Sequence, residues 1–311
     1  MSSTSPDSLP GSLLEAVKYF SDPDRALGFV VSLRWPDGRP ECPRCYSKDD
    51  HTFISTRRIW KCKSCKRQFS AKVGTIFEDS PLGWDKWLPA IWLLANSKNS
   101  VSSHELGRAL NVTQKTAWFL LHRVREAMRS ESFRLSGTVE VDETAIGGRA
   151  KFMHKDRRER LTGRGPSDKA VVQGGVQRGG AVRAEVVPET TAPRLQGNVR
   201  RWVEEGSAVY TDEALAYSGL DQHFAHKTVN HSETYVLGDV HTNTVENFWS
   251  LLKRALKGTQ VHVDEDHLHR YVTERTFAYN YRDRTDLGRM RLTVAGVGGR
   301  RLTWDRLTGK P

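Results

Sequence analysis

Four cysteines, grouped as Cys42-Pro-Arg-Cys45 and Cys62-Lys-Ser-Cys65 with sixteen residues between the pairs, constrain this chain more than any other feature. A Cys-x-x-Cys repeated at that separation is the ligand pattern of a structural zinc ribbon. Each pair makes a tight knuckle that aims two thiolates at one point, and the intervening chain is long enough for a hairpin that joins the knuckles. With Cys42, Cys45, Cys62 and Cys65 all supplied, one Zn²⁺ holds shape and keeps no open position for chemistry. Two disulfides are the alternative. No secretory segment precedes the cysteines and no others occur, so a reducing, cytoplasmic setting is expected.

The zinc module needs only a fraction of the 311 residues, which leaves room for two or three domains. A net charge of +11 is high for an enzyme of small acidic metabolites and favours a polyanionic partner, because each Lys or Arg set on a phosphate releases a counterion. No run of 18 apolar residues occurs, so no membrane span is expected.

Along the chain, residues 1–34 form an N-terminal region whose apolar spacing predicts helices over 13–20 and 24–33. The zinc ribbon occupies 35–80, with strand-like runs at 52–55 and 58–62. Its surface is positive through Lys61, Lys63, Lys66, Arg67 and Lys72, beside aromatic Trp60 and Phe69. Residues 81–132 begin with a Trp-rich helix over 84–96. There, Ser103 is placed to cap a helix that aligns Leu106 and Leu110, Asn111-Val112 makes a turn, and Thr113 caps a second helix burying Ala117, Leu121 and Val124. A short helix, a tight turn and a longer helix exposing Gln114, Lys115, Arg123 and Arg125 describe a helix-turn-helix that reads DNA.

From residue 133 the pattern turns β-rich, with alternating or apolar strands near 138–142, 170–176, 181–187 and 208–212 and helices over 193–205 and 242–256. The region 133–285 is therefore expected to be an α/β layer, interrupted by a basic loop at 149–169. Residues 286–311, with Gly296, Gly298, Gly299 and scattered arginines, read as a loose basic tail.

The sharpest chemistry lies in three acids. Asp142 closes the strand Val139-Glu140-Val141-Asp142, facing away from the valines; Asp212 closes Val209-Tyr210-Thr211-Asp212; Glu246 sits in the helical stretch His241 to Lys253. Two carboxylates at strand ends and one on a helix can converge on two hard cations, Mg²⁺ or Mn²⁺, of the kind that assist in-line displacement at phosphorus. Lys253, seven residues after Glu246, projects from the same helix face and is placed to hold a DNA phosphate, with Arg254 beside it; Asn243 lies close to that face.

Taken in order, Arg34-Trp-Pro-Asp-Gly, Cys42-Pro-Arg-Cys, Trp60-Lys-Cys-Lys-Ser-Cys, Val141-Asp-Glu-Thr-Ala-Ile-Gly-Gly, Thr211-Asp-Glu and His241-Thr-Asn-Thr-Val-Glu-Asn-Phe-Trp-Ser-Leu-Leu-Lys-Arg resemble prokaryotic insertion-sequence DDE transposases of the ISXO type. The resemblance runs over roughly residues 12–284. It implies a ribonuclease-H-like catalytic domain in which Asp142, Asp212 and Glu246 hold the metals and Lys253 is the basic residue after the glutamate. Members vary at the third acid, some with Asn or His, so Asn243 stays a rival or accessory ligand. The implied partners are the element's terminal inverted repeats and a target duplex, bound by at least a homodimer. A DNA-binding regulator, and a nuclease without strand transfer, are the competing functions. Ala145 departs from the aromatic that commonly follows this Asp-Glu-Thr.

Several neighbours are given lesser roles. Strand alternation points Glu143 and Glu213 away from the site. His231 and His241 could serve a phosphate or the structure, Phe248 and Trp249 read as core, and Gly147-Gly148 reads as a turn.

Overall fold

The computed structural model describes residues 8–130, 133–147, 169–212, 215–229 and 241–309, so His231, Glu213, Gly148 and the basic loop up to residue 168 lie outside the described residues. Backbone contacts divide the chain into two compact units, Met1–Arg129 with Asp283–Pro311, and Ser130–Arg282.

In the first unit, short polar residues start the first two helices. Ser12 accepts the Glu15 N–H ahead of α1 (Leu13–Phe20). Asp22 accepts from Asp24 and Arg25 ahead of α2 (Pro23–Arg34), where Pro23 sits in the first turn and loses no hydrogen bond. The ribbon follows as three antiparallel strands in sequential order, β1 (His51–Ile54), β2 (Ile59–Cys62) and β3 (Gln68–Phe69). Trp60 packs edge-on to Trp35, stacks on Phe69 and tilts against Phe53, a small aromatic nucleus where the strands are too short to build a larger one. Next come α3 (Trp84–Asn96), α4 (Ser103–Leu110) and α5 (Gln114–Ala127).

The second unit is a five-stranded sheet with helices on both faces. Its strands are β4 (Thr138–Ile146), β5 (Ala170–Gln177), β6 (Val182–Val187), β7 (Ala208–Asp212) and β8 (Ala225–Val229), in the order β6-β5-β4-β7-β8. The β4–β5 and β5–β6 pairs are antiparallel; β4–β7 and β7–β8 are parallel. Alternation sorts the side chains. Val139, Val141 and Val209 pack with Leu195, Val199 and Trp202 of α6 (Ala192–Trp202). Val172, Val176 and Val182 pack on the other face with Val245, Phe248 and Trp249 of α7 (Asn243–Ala255), and with Leu268, Tyr271 and Val272 of α8 (Glu265–Asn280). The expected α/β layer therefore agrees with the sheet and its flanking helices, in a unit that runs Ser130–Arg282.

Residues 286–311 are not a loose tail. They carry α9 (Asp286–Ala295) and α10 (Trp304–Thr308) and belong to the first unit. Met290, Val294, Val297, Leu302 and Leu307 are buried, and Arg289 Nε donates to Asn96 Oδ1 at 2.8 Å. Of the glycines that suggested looseness, Gly296 serves close packing and Gly299 takes a left-handed backbone at φ 70°. A Cβ on Gly296 would lie 2.3 Å from the Ala127 carbonyl oxygen, and Gly299 N–H donates to the Gly74 carbonyl at 2.8 Å. We predict that Met290→Ala, which empties a fully buried position, lowers unfolding free energy by about 2–5 kcal/mol in urea titration. An unchanged midpoint would mean that α9 contributes no core.

Candidate functional site

The cysteines meet. Cys42 Sγ lies 3.5 Å from Cys65 Sγ and Cys45 Sγ 3.6 Å from Cys62 Sγ, with all four sulfurs within 4.8 Å of one another. A tetrahedron with metal–sulfur bonds of about 2.3 Å has edges of about 3.8 Å, so the donor set fits one Zn²⁺. Each knuckle is followed by a left-handed residue, Tyr46 at φ 57° and Lys66 at φ 61°, which turns the backbone back over the sulfurs. The Cys65 backbone N–H, chief among several donors, pulls the Cys62 thiol down to about 6, suiting it to a thiolate ligand. Among the described residues this is the group of three or more close ligand atoms suited to a metal ion.

The acids are placed by β4, β7 and α7. Val139 pairs with Val209 and Glu140 with Tyr210 across the parallel β4–β7 ladder, and two residues further each strand reaches its aspartate, Asp142 and Asp212. Asp212 ends β7, but Asp142 does not close β4 as expected: it is the middle residue of a strand that runs on to Ile146 because β5 continues to pair with it. Asp142 is held by Trp249, whose indole Nε1 donates to Oδ2 at 2.8 Å. Burial, and then the negative charges of Asp212 and Glu246, push the Asp142 carboxyl upward, against the pull of the Trp249 and Glu143 hydrogen bonds. The three acids are thus electrostatic neighbours, but they do not gather ligand oxygens as tightly as the cysteines gather sulfurs. Glu246 and Asn243 are exposed on α7, Lys253 is half-buried and Arg254 is exposed.

Glu143 follows Asp142 on the strand, and yet it is part of the same charge cluster. Burial first, then Asp142 and Asp212, raise its carboxyl to about 8. Phe248 and Trp249 are buried as core residues, and Trp249 has the additional hydrogen bond to Asp142. Gly174 makes that bond feasible. It sits opposite Asp142 in the β4–β5 register, and a Cβ there would lie 2.5 Å from the Trp249 ring. The expected result for Gly174→Ala is a displaced indole and a loss of about 1–3 kcal/mol of stability in chemical denaturation. Wild-type stability and unshifted Trp249 indole resonances would remove this role from Gly174.

Sequence reasoning passed over Glu140, which is fully buried. Its carboxylate accepts Thr244 N–H at 2.7 Å, Val245 N–H at 3.1 Å, Thr244 Oγ1 at 2.9 Å and Arg178 Nε at 2.7 Å. The signal was available: alternation puts Glu140 on the face of Asp142, where a strand charge must find partners.

In the first unit, α4 and α5 are joined through Asn111 at φ 52° and capped by Ser102 and Thr113. The first cap is therefore Ser102, not Ser103, whose hydroxyl instead accepts from Gln114 Nε2 at 2.8 Å across the turn. Gly107 allows the crossing, since a Cβ there would stand 3.1 Å from the Val112 carbonyl oxygen. Gln114 and Lys115 are exposed at the start of α5, with Lys115 Nζ 4.4 Å from the centre of the Trp304 ring. Arg123 and Arg125 are not exposed as their helix position suggests: both are buried, at 3% and 1% exposure. Arg123 lies against the Trp87 and Phe119 rings and donates to the Glu78 carbonyl, so its packed guanidinium is a structural element and not a surface DNA contact. No described helix is long and apolar enough to cross a membrane.

Comparison with known proteins matches residues 134–280 to the ISXO2-like transposase domain and residues 21–68 to the transposase zinc-ribbon domain. An uncharacterized protein in the transposable element ISH50 of Halobacterium salinarum is 31% identical over 254 residues, covering 77% of this chain and 85% of that protein.

Proposed function

The chain belongs to the ISXO2-like transposases of insertion sequences, and from that premise we propose that its acidic site cleaves the ends of its element and joins them to target DNA. The observation that carries this reading is the raised Asp142 carboxyl, crowded by Asp212 and Glu246 just past the last rung of the parallel β4–β7 ladder. Like charges brought together in this way call for cations. Two Mg²⁺ or Mn²⁺ ions, when bound, supply activation of an attacking oxygen and stabilisation of the leaving oxygen.

The chain's own residues do the rest. Asp142, Asp212 and Glu246 hold the metals, with Asn243 one turn earlier as an accessory ligand. The Trp249 indole fixes the carboxylate rotamer of Asp142. Lys253 and Arg254, in the last turn of α7, neutralise the DNA phosphate at the site. The strand order, with the central β4 antiparallel to β5 and parallel to β7, supports a ribonuclease-H-like reading of the second unit. The capped α4–α5 pair supports a helix-turn-helix, with Gln114 and Lys115 toward the terminal inverted repeats. Zinc shapes the ribbon for the same DNA. Because two ends must be joined to one target, the working form on DNA is at least a dimer.

The third ligand is tested by comparing Glu246→Ala with Asn243→Ala. Purified full chain is incubated with end-containing DNA and Mg²⁺, and cut and joined strands are scored. Glu246→Ala is expected to lose both products, whereas Asn243→Ala is expected to retain them at reduced yield. The reverse order would transfer the ligand role to Asn243. Cutting without joining by the wild-type chain would favour a nuclease.

A further inference from the structure

We propose that Glu140 is the positioning residue of the acidic site: its buried carboxylate clamps the start of α7 to β4 and so sets where Glu246 stands beside Asp142. The inference deepens the metal-site reading and rests on it.

The geometry is specific. The first N–H groups of a helix have no partner within the helix, and α7 has no side-chain cap of its own, since Thr242 makes no capping bond. The missing acceptor comes from another element. Glu140 Oε2 takes the Thr244 and Val245 N–H groups, at 2.7 and 3.1 Å. Oε1 takes Thr244 Oγ1 at 2.9 Å and Arg178 Nε at 2.7 Å, and His241 Nδ1 lies 3.3 Å from it. Arg178 also donates to the His241 carbonyl at 3.0 Å, tying down the residue pair ahead of the helix. A carboxylate at a helix N-terminus is further favoured by the helix dipole.

One full turn on, the same strand grips α7 a second time, through Asp142 and Trp249. Glu246 lies between the two grips, one residue after Val245 and three before Trp249. Its backbone place is therefore fixed from β4, the strand that supplies Asp142. A positioning group of this sort is expected to change metal affinity by about 10-fold or more when lost, although it touches no metal.

The test uses the full chain as wild type, Glu140→Ala and Glu140→Gln. Amide hydrogen exchange is read at Thr244 and Val245, with Val172 and Val209 in the sheet as references. Mn²⁺ affinity is read from the free-ion paramagnetic resonance signal. Glu140→Ala is expected to speed exchange at Thr244 and Val245 by about 10-fold or more over the references, and to weaken Mn²⁺ binding by about 10-fold or more. Glu140→Gln, whose carbonyl still accepts from the two N–H groups, should recover part of both. Should Glu140→Ala fail to fold, the Gln variant carries the test through its loss of the Arg178 ion pair, with a weaker Mn²⁺ affinity expected. Unchanged exchange at the two amides, or unchanged Mn²⁺ affinity in a folded variant, overturns the proposal. A wild-type chain that binds no Mn²⁺ overturns the metal reading, and the exchange measurement then still decides whether the clamp exists.

Discussion

Replacing Cys62 by serine, or stripping zinc with a chelator, is expected to abolish binding to DNA ends while the second unit stays folded. The ribbon has two four-residue strands and one of two residues, around a nucleus of a few aromatic rings. Such a sheet buries too little apolar surface to offset the ordering of its backbone. Zinc supplies the difference: the apparent binding free energy of a structural site, about 10–16 kcal/mol, is in effect folding free energy. Losing one of four thiolates also leaves three crowded sulfurs with no cation. The unit Ser130–Arg282 has its own cores on both faces of the five-stranded sheet and contains none of the cysteines. Gel-shift titration should show the loss of end binding, and limited proteolysis should return a protected fragment of the second unit. End binding at wild-type affinity by the zinc-free chain would show that the ribbon is not needed for recognition.

Asp142→Asn is expected to cut strand cleavage and joining by about a thousandfold or more, equivalent to about 4 kcal/mol of transition-state stabilisation. The substitution is nearly isosteric, and the Asn carbonyl can still accept the Trp249 indole N–H. What it removes is the negative charge that a divalent cation requires. Stability should move the other way. The folded-state pKa of Asp142 is raised, chiefly by burial, so its charge opposes folding at pH values above its ordinary titration range, and an amide relieves that cost. The variant should therefore bind ends normally, melt no lower than wild type at neutral pH, and fail at chemistry. Such opposed movement of stability and activity marks a functional residue. A fall in melting temperature that parallels the loss of activity would instead make Asp142 structural.

Features encoded in short spacings were legible from the sequence, and those made by distant contacts were not. The two cysteine pairs meet because each knuckle is local, and the strands that carry Asp142 and Asp212 follow from alternation, although β4 runs on past Asp142 to Ile146 because β5, distant in sequence, pairs with it there. The core role of Phe248 and Trp249 followed from helical spacing. The Trp249–Asp142 hydrogen bond spans 107 residues of sequence, and no local pattern announces it. Arg123 looks like a surface cation because arginine is usually exposed, but Trp87 and Phe119 enclose its guanidinium and the Glu78 carbonyl accepts its hydrogen bond. Gly296 looked like a sign of flexibility, and the reason for a glycine there is the Ala127 carbonyl on a helix far away in sequence. Alternation alone points Glu143 away from the site, although charge acts through a sheet as well as along one face.

The most direct test of the metal-site assignment is strand transfer by Asp212→Asn. Purified full chain, end-containing DNA, target DNA and Mg²⁺ are combined, with end binding measured in parallel. Wild type is expected to cut and join strands, and Asp212→Asn to bind the ends with unchanged affinity and yield neither product. Joined product from Asp212→Asn at the wild-type rate would contradict the assignment.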